Sequence, residues 1–271
     1  MSLDFCRWEQ ASLIFFGYTC ACAWLLRGLT RRARMKSTLG CIAGVAVVFW
    51  SASLASLAVL WRFLLPPALV LLLAYWSIGL LFRSPSARVE SFLAAVDASL
   101  RIRETSAATP RPVAEFLEFA YAFVYALIPI ALGIHIALTP LADIDGDRFW
   151  TVVLATDFIC FGMLPWIQSR PPRAIEAGEP WRSSFRAFNL RLLGATSIHV
   201  NTCPSGHTAE ALAAALLIST APAPVFAAML LAAVAVSAGA VYGRYHYAID
   251  ALSGWVVVLI VWAVISRLTL T

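Results

Sequence analysis

The chain is poor in charge. Only 13% of its 271 residues are Asp, Glu, Lys or Arg, against about a quarter in a typical soluble domain. Hydrophobic residues make up 61%, and mean hydropathy is +0.80. A surface built from this composition cannot be solvated on all sides, which excludes a soluble globular protein and points to one embedded in lipid. Low-complexity tracts, internal repeats and long polar linkers are absent, so one membrane domain is expected. Lysine is almost missing: Lys36 is the only one among 20 basic residues. With no basic stripe on a soluble face, nucleic acid is not an expected partner. Positive-inside loops and a GC-rich genome are the bland sources of an arginine bias, although arginine also offers phosphate a planar fork of donors. The six cysteines (Cys6, Cys20, Cys22, Cys41, Cys160, Cys203) include no Cys-x-x-Cys pair and no metal-ligand spacing. Those inside apolar runs read as small hydrophobes, and no cofactor is implied. Asp4 and Glu9 precede the first apolar run, unlike the start of a cleaved signal peptide.

What the chain does have is apolar runs of membrane length. Spans are expected from about Ala11 to Leu26, Thr38 to Leu60, Pro66 to Phe82, Phe116 to Leu138, Phe149 to Ile167, Ser205 to Thr220, Pro224 to Tyr242 and Ala248 to Ile265. The second and third are separated at Trp61-Arg62 because Pro66 and Pro67 suit a first helical turn. The fold class expected is therefore all-α, a polytopic bundle of about eight spans in the cell (inner) membrane. Between Arg83 and Arg111, Val89, Phe92, Leu93, Val96 and Leu100 recur at helical spacing among charged residues, which reads as an amphipathic interfacial helix. A second polar stretch, Gln168 to Cys203, joins the fifth and sixth spans. It is long for a connection, and long loops in compact proteins tend to be functional.

Three short motifs fall at helix ends on one membrane face by span parity. Arg170-Pro171-Pro172-Arg173 follows the fifth span, Pro204-Ser205-Gly206-His207 opens the sixth, and Gly243-Arg244-Tyr245-His246-Tyr247-Ala248-Ile249-Asp250 joins the last two. Ser205 can cap free backbone N–H groups, and Gly206 leaves them open to an anion. His207 sits in the first turn above them. His246 and Asp250 are four apart and share a helical face, as an imidazole and its orienting carboxylate would. Arg244, two residues from His246, reaches the same phosphate only if the chain is non-helical at Gly243. A lone histidine near a helix end is more often structural, and His135 and His199 are read that way. His207 and His246 carry helper residues, and ionisable groups at membrane depth are functional by default. Glu210, one turn beyond His207, is read either as a substrate head-group contact or as a helix-pairing group, and Asp157 as an interhelical pair. Terminal tryptophans and tyrosines are interfacial anchors.

Together, Pro204-Ser205-Gly206-His207 and His246-x-x-x-Asp250 resemble the type 2 phosphatidic acid phosphatase superfamily of lipid phosphate phosphatases and phosphotransferases. The run from Tyr242 to Gly254 is most similar to its inositol phosphorylceramide synthase-like branch. The resemblance covers roughly residues 150–267. It implies a six-helix catalytic core, taken as residues 65–271, with residues 1–64 as accessory helices. It also implies a metal-independent phosphohistidine mechanism: His246 attacks phosphorus, Asp250 orients it, and His207 is general acid and then base. Ser205, Gly206 and arginines (Arg170, Arg173, Arg244) would hold phosphate, with Glu210 beside the substrate. Two positions depart from the phosphatase pattern, with Met163 and Ala240 where cations are expected. Pro171-Pro172-Arg173 matches the transferase-like branch instead, which favours Arg173 over Arg170.

The expected substrate is thus a phospholipid or an isoprenyl or sphingolipid phosphate, with water or a lipid alcohol as acceptor. The alternatives are a non-catalytic lipid-phosphate binding or transport protein and, last, a zinc site made by His207, His246 and Asp250, disfavoured by the surrounding arginines. Positive loops at Arg27–Lys36 and Arg83–Arg111 both fall on the site's face. By the positive-inside rule that face is cytoplasmic, whereas the family commonly places the site opposite; sidedness is left open.

Overall fold

The computed structural model describes residues 4–53, 59–140 and 145–268, and every regular element among them is helical. The helices are α1 (Arg7–Leu25), α2 (Arg31–Ser53), α3 (Val59–Arg62), α4 (Leu65–Gly79), α5 (Ala87–Ser99), α6 (Ile102–Ala107), α7 (Arg111–Leu138), α8 (Gly146–Gly162), α9 (Ser184–Thr196), α10 (Gly206–Leu217), α11 (Ala223–Tyr242) and α12 (Ala248–Leu268). All eight expected apolar segments are helices, although residues 54–58, near the end of the second, lie outside the described residues. Four of them, α2, α7, α11 and α12, are each long and apolar enough to cross a membrane. The outward residues suit lipid: Leu25, Leu231, Leu252 and Ile260 are all more than half exposed.

The break between the second and third segments is real, and proline sets it. Pro66 and Pro67 occupy the first turn of α4, where their missing N–H groups are not needed. The start of α2 lies against the end of α4, where the Ser37 hydroxyl donates to the Ser77 carbonyl at 3.0 Å. The two helices are therefore antiparallel neighbours, and Arg27 returns to the same end of the bundle as Arg83. There Arg83 donates to the carbonyls of Arg27 and Pro165, and its backbone N–H donates to Gln168. At the opposite end Glu9 accepts from Ser51 and Arg62, and Trp8 N–H donates to Asp147. A carboxylate buried in this way is tolerated because a cation and a hydroxyl both meet it.

α10 is the centre of the bundle. It has twelve residues, so it is about 18 Å long, little over half of a hydrocarbon core of about 30 Å. Ala209 and Ala211 to Ala215 are buried, except that Leu212 interrupts the alanines. Small side chains of this kind let α7, α8, α11 and α12 approach closely. One apolar core runs from Trp8 and Phe16 through Leu154 and Phe158 to Val258, with Phe15 of α1 stacked on Phe158 of α8 at 4.3 Å.

The polar segment 83–111 is two short helices rather than one. α5 starts on a Ser86 cap and ends at Ser99, and Arg101 at φ 53° turns the chain into α6. The long link 168–203 is also structured: a short 3-10 turn, Pro172–Ala174, is followed by α9, capped by Ser183.

Candidate active site

The three motifs meet at the end of the bundle where Arg27, Arg83 and Gln168 lie. Ser205 caps α10, its hydroxyl accepting from Thr208 N–H at 3.4 Å, and its own backbone N–H donates to the Asp250 carbonyl at 2.9 Å. That bond joins the start of α10 to the first turn of α12. Close packing continues beneath it: a Cβ on Gly254 would stand 2.5 Å from the Ser205 carbonyl and 2.7 Å from Thr208 Oγ1. Only glycine fits there.

His246 lies in the irregular link between α11 and α12. Its backbone N–H and that of Tyr245 both donate to the Ala240 carbonyl at 2.9 Å, so the chain folds back over the end of α11. Its side chain is 9% exposed, and Nδ1 stands 3.5 Å from Asp250 Oδ2. The same Oδ2 accepts from Tyr247 N–H at 2.9 Å, which fixes the carboxylate. Burial pushes the His246 imidazole below its ordinary value, and Asp250 opposes that in part. The ring of His207 faces it, with centroids 6.1 Å apart at 85°. His207 Nδ1 is 3.7 Å from Glu210 Oε2.

Between the two histidines lies a cavity of about 30 Å³, space for a water or two. Its lining includes Gly206, Arg173, Tyr121, Tyr245 and Thr202. A Cβ on Gly206 would stand 2.8 Å from Phe161 and 3.1 Å from Asp157, so any side chain there would collide with α8. Arg173 is the arginine that reaches the cavity among the described residues lining it. Its backbone N–H donates to the Arg244 carbonyl at 2.9 Å, its Nη1 to the Tyr245 carbonyl at 3.2 Å, and its guanidinium lies 5.5 Å from the Tyr245 ring centroid.

The other two candidate arginines are placed elsewhere. Arg244 turns away from His246: at φ 62° its side chain runs into a buried cluster, with Nη1 on Asp97 at 2.6 Å and Nε on Glu176 at 3.0 Å. Asp97 also accepts from Ala248 N–H at 2.9 Å. Arg244 thus ties α5 and the 168–203 link to the α11–α12 connection and does not line the cavity. Arg170 is paired with Glu90 of α5 at 2.9 Å, which lowers the Glu90 carboxyl below its usual range. Its guanidinium is already engaged outside the cavity. Ser205 is fully buried, with its hydroxyl accepting at the cap and its backbone N–H bonded to the Asp250 carbonyl, which leaves the backbone N–H of Gly206 as the donor facing the cavity. His135 lies near Phe149 and His199 is exposed; neither lines the cavity.

Two features escaped sequence reading. Tyr245 is fully buried and stacks on Tyr121 of α7 at 4.1 Å and 5°, forming an aromatic wall. Glu118 of α7 accepts from the Tyr245 hydroxyl at 2.6 Å, from Arg186 at 3.0 Å, from Asn189 at 2.8 Å and from Trp181 at 2.7 Å. Desolvation raises the Tyr245 phenol, so it stays a donor. The only signal was the length of the 168–203 link, which supplies Trp181, Arg186 and Asn189. Ala240, at a position where a cation was expected, is fully buried in a cluster with Tyr121, Leu193 and Tyr245, which leaves no room for a longer side chain.

Among the described residues, no group of three or more His, Cys, Asp or Glu side chains is arranged to hold a metal ion. No curated protein and no solved structure matches the chain. The family model of the PAP2 superfamily, however, matches residues 148–271, the stretch that carries Arg173, His207, His246 and Asp250. This C-terminal region is therefore similar to the PAP2 superfamily.

Proposed function

We propose that the chain is a membrane enzyme that cleaves or transfers a phosphate ester of a lipid through a phosphohistidine at His246. One observation carries this reading: two histidine rings face each other 6.1 Å apart across a cavity that Arg173 also lines. The match of residues 148–271 to the PAP2 superfamily supports lipid phosphate chemistry in general terms. In this mechanism His246 Nε2 attacks phosphorus while Nδ1–H is held by Asp250. His207 protonates the leaving oxygen as the P–O bond breaks. It then takes the proton of an incoming hydroxyl, whose oxygen displaces His246 from phosphorus. Arg173 and the backbone N–H groups at the start of α10 neutralise the phosphoryl oxygens. The catalytic part is assigned to residues 65–271, with residues 1–64 accessory. The substrate is a phospholipid or an isoprenyl or sphingolipid phosphate.

Water and a lipid alcohol are both chemically competent acceptors. The burial of His246, 7% exposed, favours the alcohol and hence the head-group transferase-like branch. Purified protein in nanodiscs, given labelled phosphatidic acid, isoprenyl diphosphate, or phosphatidylinositol with ceramide, should release phosphate or form a new lipid ester. Acid-labile label should be trapped on His246. If His246→Ala retains the biological activity, a non-catalytic lipid-phosphate binding or transport protein is the correct reading instead.

A further inference from the structure

One cluster of ionisable side chains near the site has no cation. Asp157 of α8 is fully buried, and neither carboxyl oxygen finds a donor among the described groups. It packs directly under the start of α10, where its Oδ1 would be 3.1 Å from a Cβ on Gly206. Glu210, one turn after Gly206 on α10, shares the helix face that packs on α8, which sets the two carboxyl groups against each other. Glu210 in turn stands 3.7 Å from His207 Nδ1. On its other side is an apolar cavity of about 450 Å³, lined by Leu71, Val124, Tyr125, Ile128 and Trp150 and by no cation. Tyr125 of α7, Cys160 of α8 and His207 are the other titratable groups facing the pair. None carries a fixed positive charge.

Two carboxylates in contact repel and have no proton to share, whereas a carboxylic acid and a carboxylate form a strong hydrogen bond. A proton kept by the pair turns that repulsion into a hydrogen bond and gives one of the two Asp157 oxygens a partner. Which member keeps it follows from the neighbours: Glu210 faces the imidazole, and Asp157 faces nothing that donates.

We infer that Asp157 keeps a proton and donates it to Glu210, and that Glu210 accepts from His207 Nδ1–H, so that His207 presents Nε2 to the cavity. The inference rests on the reading of His207 as the acid and base. Each histidine then has a carboxylate close by along its own chain segment, Asp250 at i+4 and Glu210 at i+3. Asp157 and Glu210 are positioning residues, since neither touches the reacting atoms. His207 starts protonated on both nitrogens. Nε2 gives its proton to the leaving oxygen and later takes one from the acceptor hydroxyl, while Nδ1–H stays on Glu210. The Asp157 proton never leaves the pair.

The test uses full-length protein in nanodiscs with ¹⁵N-labelled histidine. The sequence has four histidines, so single substitutions assign the signals. In the wild type and in Asp157→Asn, which keeps a donor, His207 should show a hydrogen-bonded Nδ1–H. Turnover in Asp157→Asn should stay within about threefold of wild type. The infrared carbonyl band of a buried carboxylic acid should be present in the wild type and lost in Asp157→Asn. In Glu210→Met the His207 Nδ1–H signature should vanish and kcat should fall about tenfold or more with KM unchanged, a fraction of the full effect of a general acid–base group. Glu210→Gln serves if the methionine variant does not fold, with the same direction and a smaller loss. Unchanged His207 nitrogen shifts in these Glu210 variants, or no acid band assignable to Asp157, would overturn the inference. If the wild type turns over no lipid phosphate, the functional reading fails while the nitrogen shifts still decide the positioning.

Discussion

Removing the guanidinium of Arg244 tests whether that arginine is a structural clip or a phosphate ligand. Its side chain is 3% exposed, bonded to Asp97 at 2.6 Å and to Glu176, whose side chain is 24% exposed. In Arg244→Met, Asp97 keeps only the Ala248 N–H, at 2.9 Å, while water can reach Glu176. Breaking a buried ion pair from one side costs about 3–5 kcal/mol, and the exposure of Glu176 places this case near about 3 kcal/mol. For a chain of this size that is a fall of roughly 6–12 °C in the midpoint of thermal inactivation. Burial already raises the Asp97 carboxyl, with Arg244 opposing that. Without the arginine it rises further, so folded protein binds more protons than unfolded. Stability then falls as pH rises from the ordinary aspartate value through the raised one, so the deficit shrinks as the assay pH is lowered towards the ordinary value. Adding Asp97→Asn should recover part of the loss, which a double-mutant cycle measures. Inactivation of detergent-solubilised protein at fixed heating rate is the assay, because unfolding of such proteins is seldom reversible. An Arg244→Met protein with unchanged stability and a raised KM would refute this reasoning and return Arg244 to the substrate.

Three further outcomes are expected. Arg173→Ala should lower kcat/KM about 100- to 1,000-fold, the range for losing one preorganised donor to a transition-state oxyanion. Its inactivation midpoint should move little, since Arg173 contributes one side-chain hydrogen bond, to the Tyr245 carbonyl at 3.2 Å. Gly254→Ala should sharply reduce phosphohistidine formation while leaving the protein in the membrane, because its methyl must displace the Ser205 carbonyl 2.5 Å away. Finally, burial holds His246 below the ordinary histidine value, about 6.5. Its neutral, nucleophilic form should therefore persist below that pH, and the acid limb of phosphohistidine formation should lie on the acid side of it. Between the two values the unfolded chain binds the extra proton, so stability should fall as pH drops through the ordinary value towards the depressed one. An acid limb above the ordinary value would show that the Asp250 interaction outweighs burial.

The helices were legible because lipid imposes one rule on every span: a run of apolar residues with its backbone bonded internally. The pairing of His246 with Asp250 was legible because it is local, four residues along one chain segment. The arginines were not. The Pro171-Pro172-Arg173 element favoured Arg173, but the capture of Arg170 and Arg244 depends on Glu90, Asp97 and Glu176, each far from its arginine along the chain. A carboxylate captures an arginine wherever packing brings them together, and no spacing rule announces it. The same holds for Glu118, which reads as an isolated charge in a span until Trp181, Arg186, Asn189 and Tyr245 converge on it. Asp157 and Glu210 were visible as charges within spans, but their contact across α8 and α10 was not.

The hydrogen bond from Ser205 N–H to the Asp250 carbonyl, at 2.9 Å, has a consequence for how this chain can change length. It fixes the two histidine-bearing segments directly to each other, without passing through the hairpin α10–α11 that separates them in sequence. The turn at residues 218–222 lies at the far end of that hairpin, so residues added or removed there should leave the spacing of His207 and His246 untouched. One residue inserted between Ala240 and Asp250 would instead shift the register of everything downstream of the seam. Tolerance to insertion should thus be sharply uneven along residues 205–254, high at the distal turn and nil within the α11–α12 connection.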